Sequence, residues 1–237
     1  MVDTGAVRTV IGVLGNVISF GLFVSPVPTM VTIVKAKSVQ EFKSDPYVAT
    51  LFNCMLWVFY GLPIVRPDTI LVSTINGCGV CIELAYIIIF LLYSPASKKK
   101  RILISVFVEV IVFAILVFVT LKFLHTTKAR SALIGILCII FNVIMYASPL
   151  TVMRMVIQTK SVKYMPFLLS LANFCNGLVW LVYALLKFDP FIVIPNGLGA
   201  FFGVIQLALY GTYYRSTKWD EDDTRPGQKS EVELTNT

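Results

Sequence analysis

The chain has 237 residues, of which 57% are hydrophobic, with a mean hydropathy of +0.82 and a formal net charge of +7. One soluble core cannot bury that much apolar surface, so the composition excludes a soluble globular domain and indicates a membrane protein.

Seven apolar runs of 18 to 26 residues follow one another along the chain. At about 1.5 Å of rise per helical residue, even the shortest nearly crosses a hydrocarbon layer of about 30 Å. Backbone polar groups in lipid must be satisfied within the segment, so we predict an all-α membrane protein with seven transmembrane helices. In chain order, the predicted spans are residues 6–30, 46–63, 69–93, 102–124, 132–157, 164–187 and 190–214.

Lysine and arginine are distributed unevenly between the two sides of the membrane. If the spans alternate in direction, fourteen of these residues fall on one side and six on the other. Cytoplasmic connections carry the excess of positive charge in membrane proteins. The distribution therefore predicts a cytosolic carboxyl terminus and an amino terminus outside the cell or in a lumen. It also accounts for the net charge without a nucleic-acid partner.

The chain contains an internal repeat. The stretch FVSPVPTMVTIVKAKSV at residues 23–39 returns as YASPLTVMRMVIQTKSV at residues 146–162, an offset of 123. At the same offset, an N-x-x-x-W-x-x-Y pattern starts at Asn53 and again at Asn176. Chance similarity between apolar helices reproduces leucine and valine matches, but not proline, asparagine, tryptophan and tyrosine in one order. We therefore infer a duplication.

The duplication predicts two three-helix repeats, residues 1–96 and 131–215, joined by a linker helix within residues 97–130. Because three is an odd number of spans, the linker helix is needed to make the two repeats parallel. A pseudo-twofold axis along the membrane normal then relates them. The polar residues 216–237 are predicted to form a disordered cytosolic tail.

Two asparagines, each followed by glycine, interrupt otherwise apolar runs at Asn76 and Asn196. Counting residues from the outer span ends places both of them, with Trp57 and Trp180, about 10 Å below the outer boundary. Amides donate and accept hydrogen bonds, and indole faces stack on the apolar face of a sugar ring. This layer predicts a binding site for a neutral polyol, shared between the repeats. The alternative is that the amides only join helices to one another.

Four prolines lie toward the cytoplasmic ends of four predicted spans. A proline inside a helix removes a hydrogen bond and permits a bend, so the set predicts hinges of an inner gate. The alternative is that these residues merely end helices. The four are Pro26, Pro46, Pro149 and Pro166.

An outer gate is predicted at the opposite ends of the spans. Tyr60 and Tyr183 stand one turn above the tryptophans, and Arg66 with Asp189 could form a closing ion pair. Charges in exposed loops commonly have no partner, so the sequence supports the ion pair less strongly than it supports the tyrosines.

The sequence resembles the plant SWEET sugar transporters over about residues 6–215. The resemblance is carried by GNVISFGLFVSPVPT, KSVQEF, YGLP, STINGCG, YASPL, KSVKYMPF and PNGLG. These transporters are themselves a known example of parallel repeats. The resemblance implies a bidirectional uniporter that moves sugars down their gradient by alternating access. It also implies sugar contacts at Asn76, Asn196 and Trp180, and a hinge formed by the four prolines.

The resemblance is strongest to the hexose-carrying members, through KFDPFIVIPNGLG and MPFLLSLANF. Serine is common at the positions of Asn53 and Asn176 in sucrose-type members. Together with Trp57, these bulkier side chains narrow the predicted pocket, so a monosaccharide such as glucose is expected. A sucrose-carrying member is the alternative. The plasma membrane is the expected location.

Other functions would each need residues of a particular kind. A proton-coupled transporter of small solutes needs an intramembrane carboxylate, and Glu83 supplies one, so this alternative stays open. An enzyme is not expected, because no nucleophile and base stand together. Cys78 and Cys81 form a C-x-x-C without two further ligands, so neither a metal nor a cofactor is expected.

The expected partners are a small sugar and membrane lipid, with no nucleic acid. The glycine pair Gly199 and Gly203 permits close helix approach. It would serve either packing within the repeat or assembly into a homo-oligomer.

Overall fold

The computed structural model describes residues 3–219, and the predicted tail from residue 220 onward lies outside the described residues. That part of the chain folds into nine α-helices. They are α1 (Thr4–Val24), α2 (Val27–Ala36), α3 (Asp45–Gly61), α4 (Ile70–Tyr93), α5 (Ala96–Phe123), α6 (Thr127–Met145), α7 (Ala147–Thr159), α8 (Phe167–Leu186) and α9 (Pro190–Tyr213).

Two of the predicted spans are each divided into two helices. Pro26 separates α1 from α2, and Pro149 lies in the first turn of α7, directly after the break at Tyr146. Proline has no N–H and its ring clashes with the carbonyl four residues earlier, so the preceding helix cannot continue up to it. Accordingly, α1 ends at Val24 and α6 ends at Met145. Lys37 and Lys160 then end α2 and α7 in the left-handed conformation, with φ of 50° and 55°. The two repeats therefore bend and end at equivalent positions.

Within residues 3–219, six continuous or bent segments are long and apolar enough to cross a membrane. The seventh span is α3, whose 17 residues give a length of about 26 Å. The linker helix α5 begins earlier than predicted, at Ala96 instead of residue 102. Lys98–Arg101 therefore form its first turns, because lysine and arginine favour helices and can extend their charged groups toward water.

Each repeat places its third span between the other two. In repeat one, α4 packs against α1, α2 and α3, and in repeat two α9 packs against α6, α7 and α8. The repeats meet through two equivalent contacts, α1 with α8 and α3 with α6, while α5 packs on α3, α4 and α6. The connections after α2, α4 and α7 share one end of the bundle, called here the basic end. The connections after α3, α5 and α8 share the far end.

The glycine pair proposed for helix packing faces the interior of repeat two. A Cβ at Gly199 would lie 2.8 Å from Tyr146 Oη, and one at Gly203 would lie 2.8 Å from Phe174 Cβ. These two glycines therefore allow close packing of α9 within its own repeat. They do not present a surface to a second copy of the chain.

We expect Gly177→Ala to destabilise the protein, because α8 and α9 approach each other closely at this residue. A Cβ at Gly177 would lie 2.8 Å from the backbone nitrogen of Ala200 and 3.1 Å from the carbonyl oxygen of Asn196. Backbone atoms cannot move aside as a flexible side chain can. We therefore expect the free energy of unfolding to fall by about 1–3 kcal/mol. The melting temperature of the detergent-solubilised protein measures it.

The matched control for this substitution is Gly211→Ala in α9, where a Cβ would meet no atom within 4 Å. Alanine favours helix more than glycine does, so this variant should melt at the same temperature as the unmodified protein or slightly higher. Equal melting temperatures for the two variants would contradict the close approach of α8 and α9.

Candidate functional site

A cavity lies between the two repeats. One part, of about 460 Å³, is lined by α1, α2, α3 and α4 together with α6, α8 and α9. A second part, of about 480 Å³, extends further into repeat two. Four asparagines line both parts, namely Asn53, Asn142, Asn176 and Asn196. The cavity reaches loop residues at the basic end, including Lys43 and Tyr164. Its size is in the range of sites for small molecules.

All six side chains predicted to contact substrate line the first part of this cavity. They come from α3, α4, α8 and α9, so both repeats contribute. They are Asn53, Trp57, Asn76, Asn176, Trp180 and Asn196. The structure thus brings together residues that are up to 143 positions apart in the chain. Their role in binding stays a prediction.

Asn76 and Asn196 have the same local geometry. The amide nitrogen of Asn76 donates to the carbonyl oxygen of Val72 at 2.8 Å, and that of Asn196 donates to Ile192 at 2.9 Å. Each amide thereby uses one N–H within its own helix, which fixes the orientation of the side chain. Within residues 3–219, neither amide oxygen accepts a hydrogen bond. Both oxygens are therefore available to accept one from a ligand.

Two further polar residues in the cavity wall were not predicted. Ser19 in α1 and Asn142 in α6 are separated by the repeat offset of 123. Ser19 Oγ donates to Asn176 Oδ1 at 2.6 Å, and Asn142 Nδ2 donates to Asn53 Oδ1 at 3.3 Å. A search for polar side chains at that offset inside apolar runs would have found the pair.

Glu83 also lies in the cavity wall, seven residues from Asn76 toward the basic end. Only 4% of this residue is exposed, and its Oε2 atom has no hydrogen-bond partner among the described residues. Glu109 in α5 likewise has an unpartnered Oε2, but it is not among the residues lining the cavity. The carboxylate that a proton-coupled mechanism would need thus lies in the same cavity, about 10 Å along α4 from the predicted binding layer.

The four predicted hinge prolines border the cavity, two in each part. Pro26 and Pro46 line the first part, and Pro149 and Pro166 line the second. The expectation that each breaks a helical hydrogen bond is wrong for Pro46, the second residue of α3, and for Pro166, which immediately precedes α8. The first N–H groups of a helix have no acceptor within it, so proline costs nothing there.

At the far end, three of the four predicted gate residues meet. Asp189 is 1% exposed, accepts from Tyr60 Oη at 2.7 Å, and accepts from Arg66 Nε at 2.8 Å. Its Oδ1 also accepts from the backbone N–H of Phe191 and so caps α9. Because Tyr60 and Arg66 belong to repeat one, Asp189 joins the two repeats at the far end.

A second far-end cluster surrounds the remaining predicted gate residue, Tyr183. Its hydroxyl donates to the carbonyl oxygen of Asp68 at 3.3 Å, and the Arg8 guanidinium lies 4.0 Å from its ring centroid. Arg8 also donates to the carbonyl oxygens of Asp68, at 2.6 Å, and Tyr183, at 3.2 Å. Sequence reasoning missed Arg8 and Asp68, because contacts between exposed termini and loops leave no periodic signal.

Lys187 forms an ion pair with the side chain of Asp68 across the two repeats. The hydrogen bond and charge of Lys187 hold the pKa of the Asp68 carboxyl below its usual range. Because the pKa is lowered, the ion pair contributes fully to stability at any pH above the usual pKa of a carboxyl group. This contribution is lost only as the pH falls through the lowered pKa. This far-end contact is therefore insensitive to pH changes near neutrality.

Comparison with known protein sequences gives several extensive matches. A family model described as a sugar efflux transporter for intercellular exchange matches residues 9–98 and again residues 132–218. The bidirectional sugar transporter SWEET5 of Arabidopsis thaliana is 62% identical over 223 residues, covering 94% of this chain and 93% of the relative. SWEET4 of the same plant is 54% identical over 222 residues, covering 94% and 88%.

Comparison with solved structures supports the same architecture. The structure of a eukaryotic SWEET transporter matches with a TM-score of 0.86 at 38% sequence identity. The match covers 90% of this chain and 99% of that chain. The predicted all-α fold, with two three-helix repeats and a linker helix, is thereby confirmed.

Proposed function

The chain belongs to the SWEET family of sugar transporters, and on that premise we propose that it is a uniporter for monosaccharides such as glucose. Transport would run in either direction along the sugar gradient, and the chain would catalyse no covalent reaction. The observation that carries the proposal is the neutral layer of asparagines and tryptophans in the central cavity. Such a layer suits a solute that has hydroxyl groups and no charge.

The preference for a monosaccharide is supported by the size of the side chains in this layer. Asn53 and Asn176 face the cavity from opposite repeats, and Trp57 and Trp180 stand one turn further toward the far end. Smaller side chains at the asparagine positions would leave more room between the repeats. The alternative is that sucrose also fits.

Alternating access is supported by the difference between the two ends of the bundle. The far end is joined across the repeats by Asp189 and by Lys187, whereas the cavity extends to the basic end. We propose that the basic end is cytosolic, that the protein resides in the plasma membrane, and that this conformation faces the cytosol. The repeats 1–96 and 131–215 would then rock against each other at Pro26 and Pro149, where two spans are already broken.

Proton coupling is the second candidate, favoured by the buried and unpartnered carboxyl of Glu83 in the cavity wall. Repeat two has Gly203 at the equivalent place, so a coupled mechanism would use one repeat only. The sugar site itself is duplicated, which fits a uniporter better.

The test is uptake of radiolabelled glucose, fructose and sucrose by cells that lack their own sugar transporters, at external pH 5.5 and 7.5, with and without a protonophore. We expect uptake of the monosaccharides at rates that depend neither on the external pH nor on the protonophore. The lowered pKa of Asp68 keeps the far-end ion pair intact over this range. Cells without the transporter are the control.

Faster uptake at pH 5.5 that the protonophore abolishes would instead support coupling. In that case Glu83→Gln should remove the pH dependence. Uptake of sucrose alone would contradict the monosaccharide assignment while leaving the sugar-transport function in place.

A further inference from the structure

Two hydrogen bonds across the repeat interface are related by the same pseudo-symmetry as the repeats. Ser19 in α1 reaches Asn176 in α8, and Asn142 in α6 reaches Asn53 in α3. Adding the offset of 123 to Ser19 gives Asn142, and adding it to Asn53 gives Asn176. The two contacts lie at the two places where the repeats pack together, α1 with α8 and α3 with α6. Their duplication indicates a shared purpose.

The direction of the contact in repeat two is fixed by Trp180. The indole N–H of Trp180 donates to Ser19 Oγ at 3.0 Å, and an indole nitrogen can only donate. Ser19 therefore accepts from Trp180 and directs its own hydroxyl hydrogen to Asn176 Oδ1. With its oxygen turned toward Ser19, the amide of Asn176 has its N–H groups on the other side, available to the cavity.

The direction of the contact in repeat one is fixed by a backbone carbonyl. Asn142 Nδ2 donates to the carbonyl oxygen of Cys138 at 2.9 Å, and a carbonyl oxygen can only accept. The amide of Asn142 therefore has its nitrogen on that side, and its second N–H points to Asn53 Oδ1. Asn53 is thus left, like Asn176, with its N–H groups for the cavity.

From these directions we propose that Ser19 and Asn142 are positioning residues, which hold Asn176 and Asn53 as hydrogen-bond donors toward the sugar. Asn76 and Asn196 have their nitrogens tied to their own helices and offer their oxygens as acceptors. The cavity then presents two donors and two acceptors in a pseudo-twofold arrangement. A sugar hydroxyl both donates and accepts, so vicinal hydroxyls can bridge one donor and one acceptor. The inference rests on the proposed function as a sugar transporter.

The first test is a double-mutant cycle in the uptake assay. Ser19→Ala is expected to raise the half-saturating glucose concentration about tenfold, because Asn176 loses the contact that orients it. Ser19→Thr keeps the hydroxyl and should restore the value toward that of the unmodified chain. If Ser19 acts through Asn176, then adding Ser19→Ala to Asn176→Ala should change little beyond Asn176→Ala alone.

A second readout distinguishes positioning from general loosening of the site. Deoxy- and deoxyfluoro-glucoses, modified at one carbon at a time, are measured as competitors of glucose uptake. Fluorine can accept a hydrogen bond but cannot donate one, so it replaces only a hydroxyl that accepts from the protein. At a hydroxyl facing Asn176 or Asn53, the fluoro sugar should therefore compete better than the deoxy sugar. Ser19→Ala should remove that advantage at the hydroxyl facing Asn176 and leave it at the hydroxyl facing Asn53.

The matched control is Thr9→Ala, which removes an exposed α1 hydroxyl bonded only to Gly5 in its own helix, and it should leave glucose affinity unchanged. If Ser19→Ala fails to reach the cell surface, Asn142→Ala with Asn53→Ala provides the equivalent cycle. Additive effects in the cycle, or equal weakening of every competitor, would overturn the inference while leaving the transport function intact. An unmodified chain that transports no sugar would overturn both.

Discussion

Replacing Asn76 or Asn196 with alanine should each lower glucose uptake more than tenfold, to near background, while the amount of protein at the cell surface is unchanged. Each amide lies in the cavity wall with an oxygen that accepts no hydrogen bond within residues 3–219. A site built to bond a hydroxyl loses most of its affinity when one partner is missing, because the remaining polar group is left unpaired. Initial uptake rates, divided by surface protein, measure the effect.

Neither substitution should prevent folding. The hydrogen bonds that are lost join each amide to a carbonyl of its own helix, Val72 or Ile192, and these carbonyls still serve the helical backbone. Asn16→Ala is the matched control, because Asn16 bonds Thr74 and is not among the residues lining the cavity. Uptake by Asn76→Ala or Asn196→Ala that equals that of Asn16→Ala would show that the amides only join helices.

That the predicted binding residues line one cavity could be anticipated from sequence, because two independent regularities constrain their positions. The helical rise fixes the depth of Asn76 and Trp57 from the span ends, and the repeat supplies Asn196 and Trp180 at matching depths. The same reasoning extends to Ser19 and Asn142, which also obey the offset of 123. A site residue can be recognised from the sequence when its position follows the helical periodicity or recurs at the repeat offset.

The contacts of the far end leave no such trace. Arg66 and Asp189 were paired from charge alone, and their meeting depends on how the loops after α3 and α8 approach each other. Arg8 and Asp68 have no repeat-related counterparts in the cluster around Tyr183. Helix ends were misplaced for a related reason, because polar residues such as Lys98–Arg101 continue α5 beyond its apolar run.

Replacing Asp189 with alanine should lower glucose uptake more than tenfold by destabilising closure of the far end. Asp189 is 1% exposed and accepts hydrogen bonds from Tyr60 and Arg66 of the other repeat. Removing one partner of a fully buried ion pair costs about 3–5 kcal/mol. The Arg66 side chain is 30% exposed, so water partly compensates its charge and the expected cost is smaller than that. A carrier must close one end before it opens the other, so a change of that size in one conformation slows the cycle.

The accessibility of Cys138 to a thiol reagent tests directly whether Asp189→Ala opens the far end. This thiol is fully buried, in the same hydrophobic cluster as Tyr60 and Trp57. The assay uses a chain in which the other described cysteines are replaced by serine, and a membrane-impermeant thiol reagent is added outside the cell. Asp189→Ala should raise the rate at which this reagent modifies Cys138 at least tenfold. That rate ratio corresponds to about 1.4 kcal/mol. Unchanged reactivity would contradict a gate at Asp189.

Asp189 also caps α9, and this second role has to be separated from the first. Asparagine caps a helix as well as aspartate does and can still accept from Tyr60, but it cannot form an ion pair with Arg66. Asp189→Asn should therefore show an intermediate loss of uptake and a smaller rise in Cys138 reactivity. Asp3→Ala removes the equivalent cap of α1, where the side chain accepts only from Gly5, and should affect neither measurement. If Asp189→Asn matches the unmodified chain in both assays, the ion pair does not contribute to closure. The loss caused by Asp189→Ala would then come from the missing helix cap and the missing hydrogen bond to Tyr60.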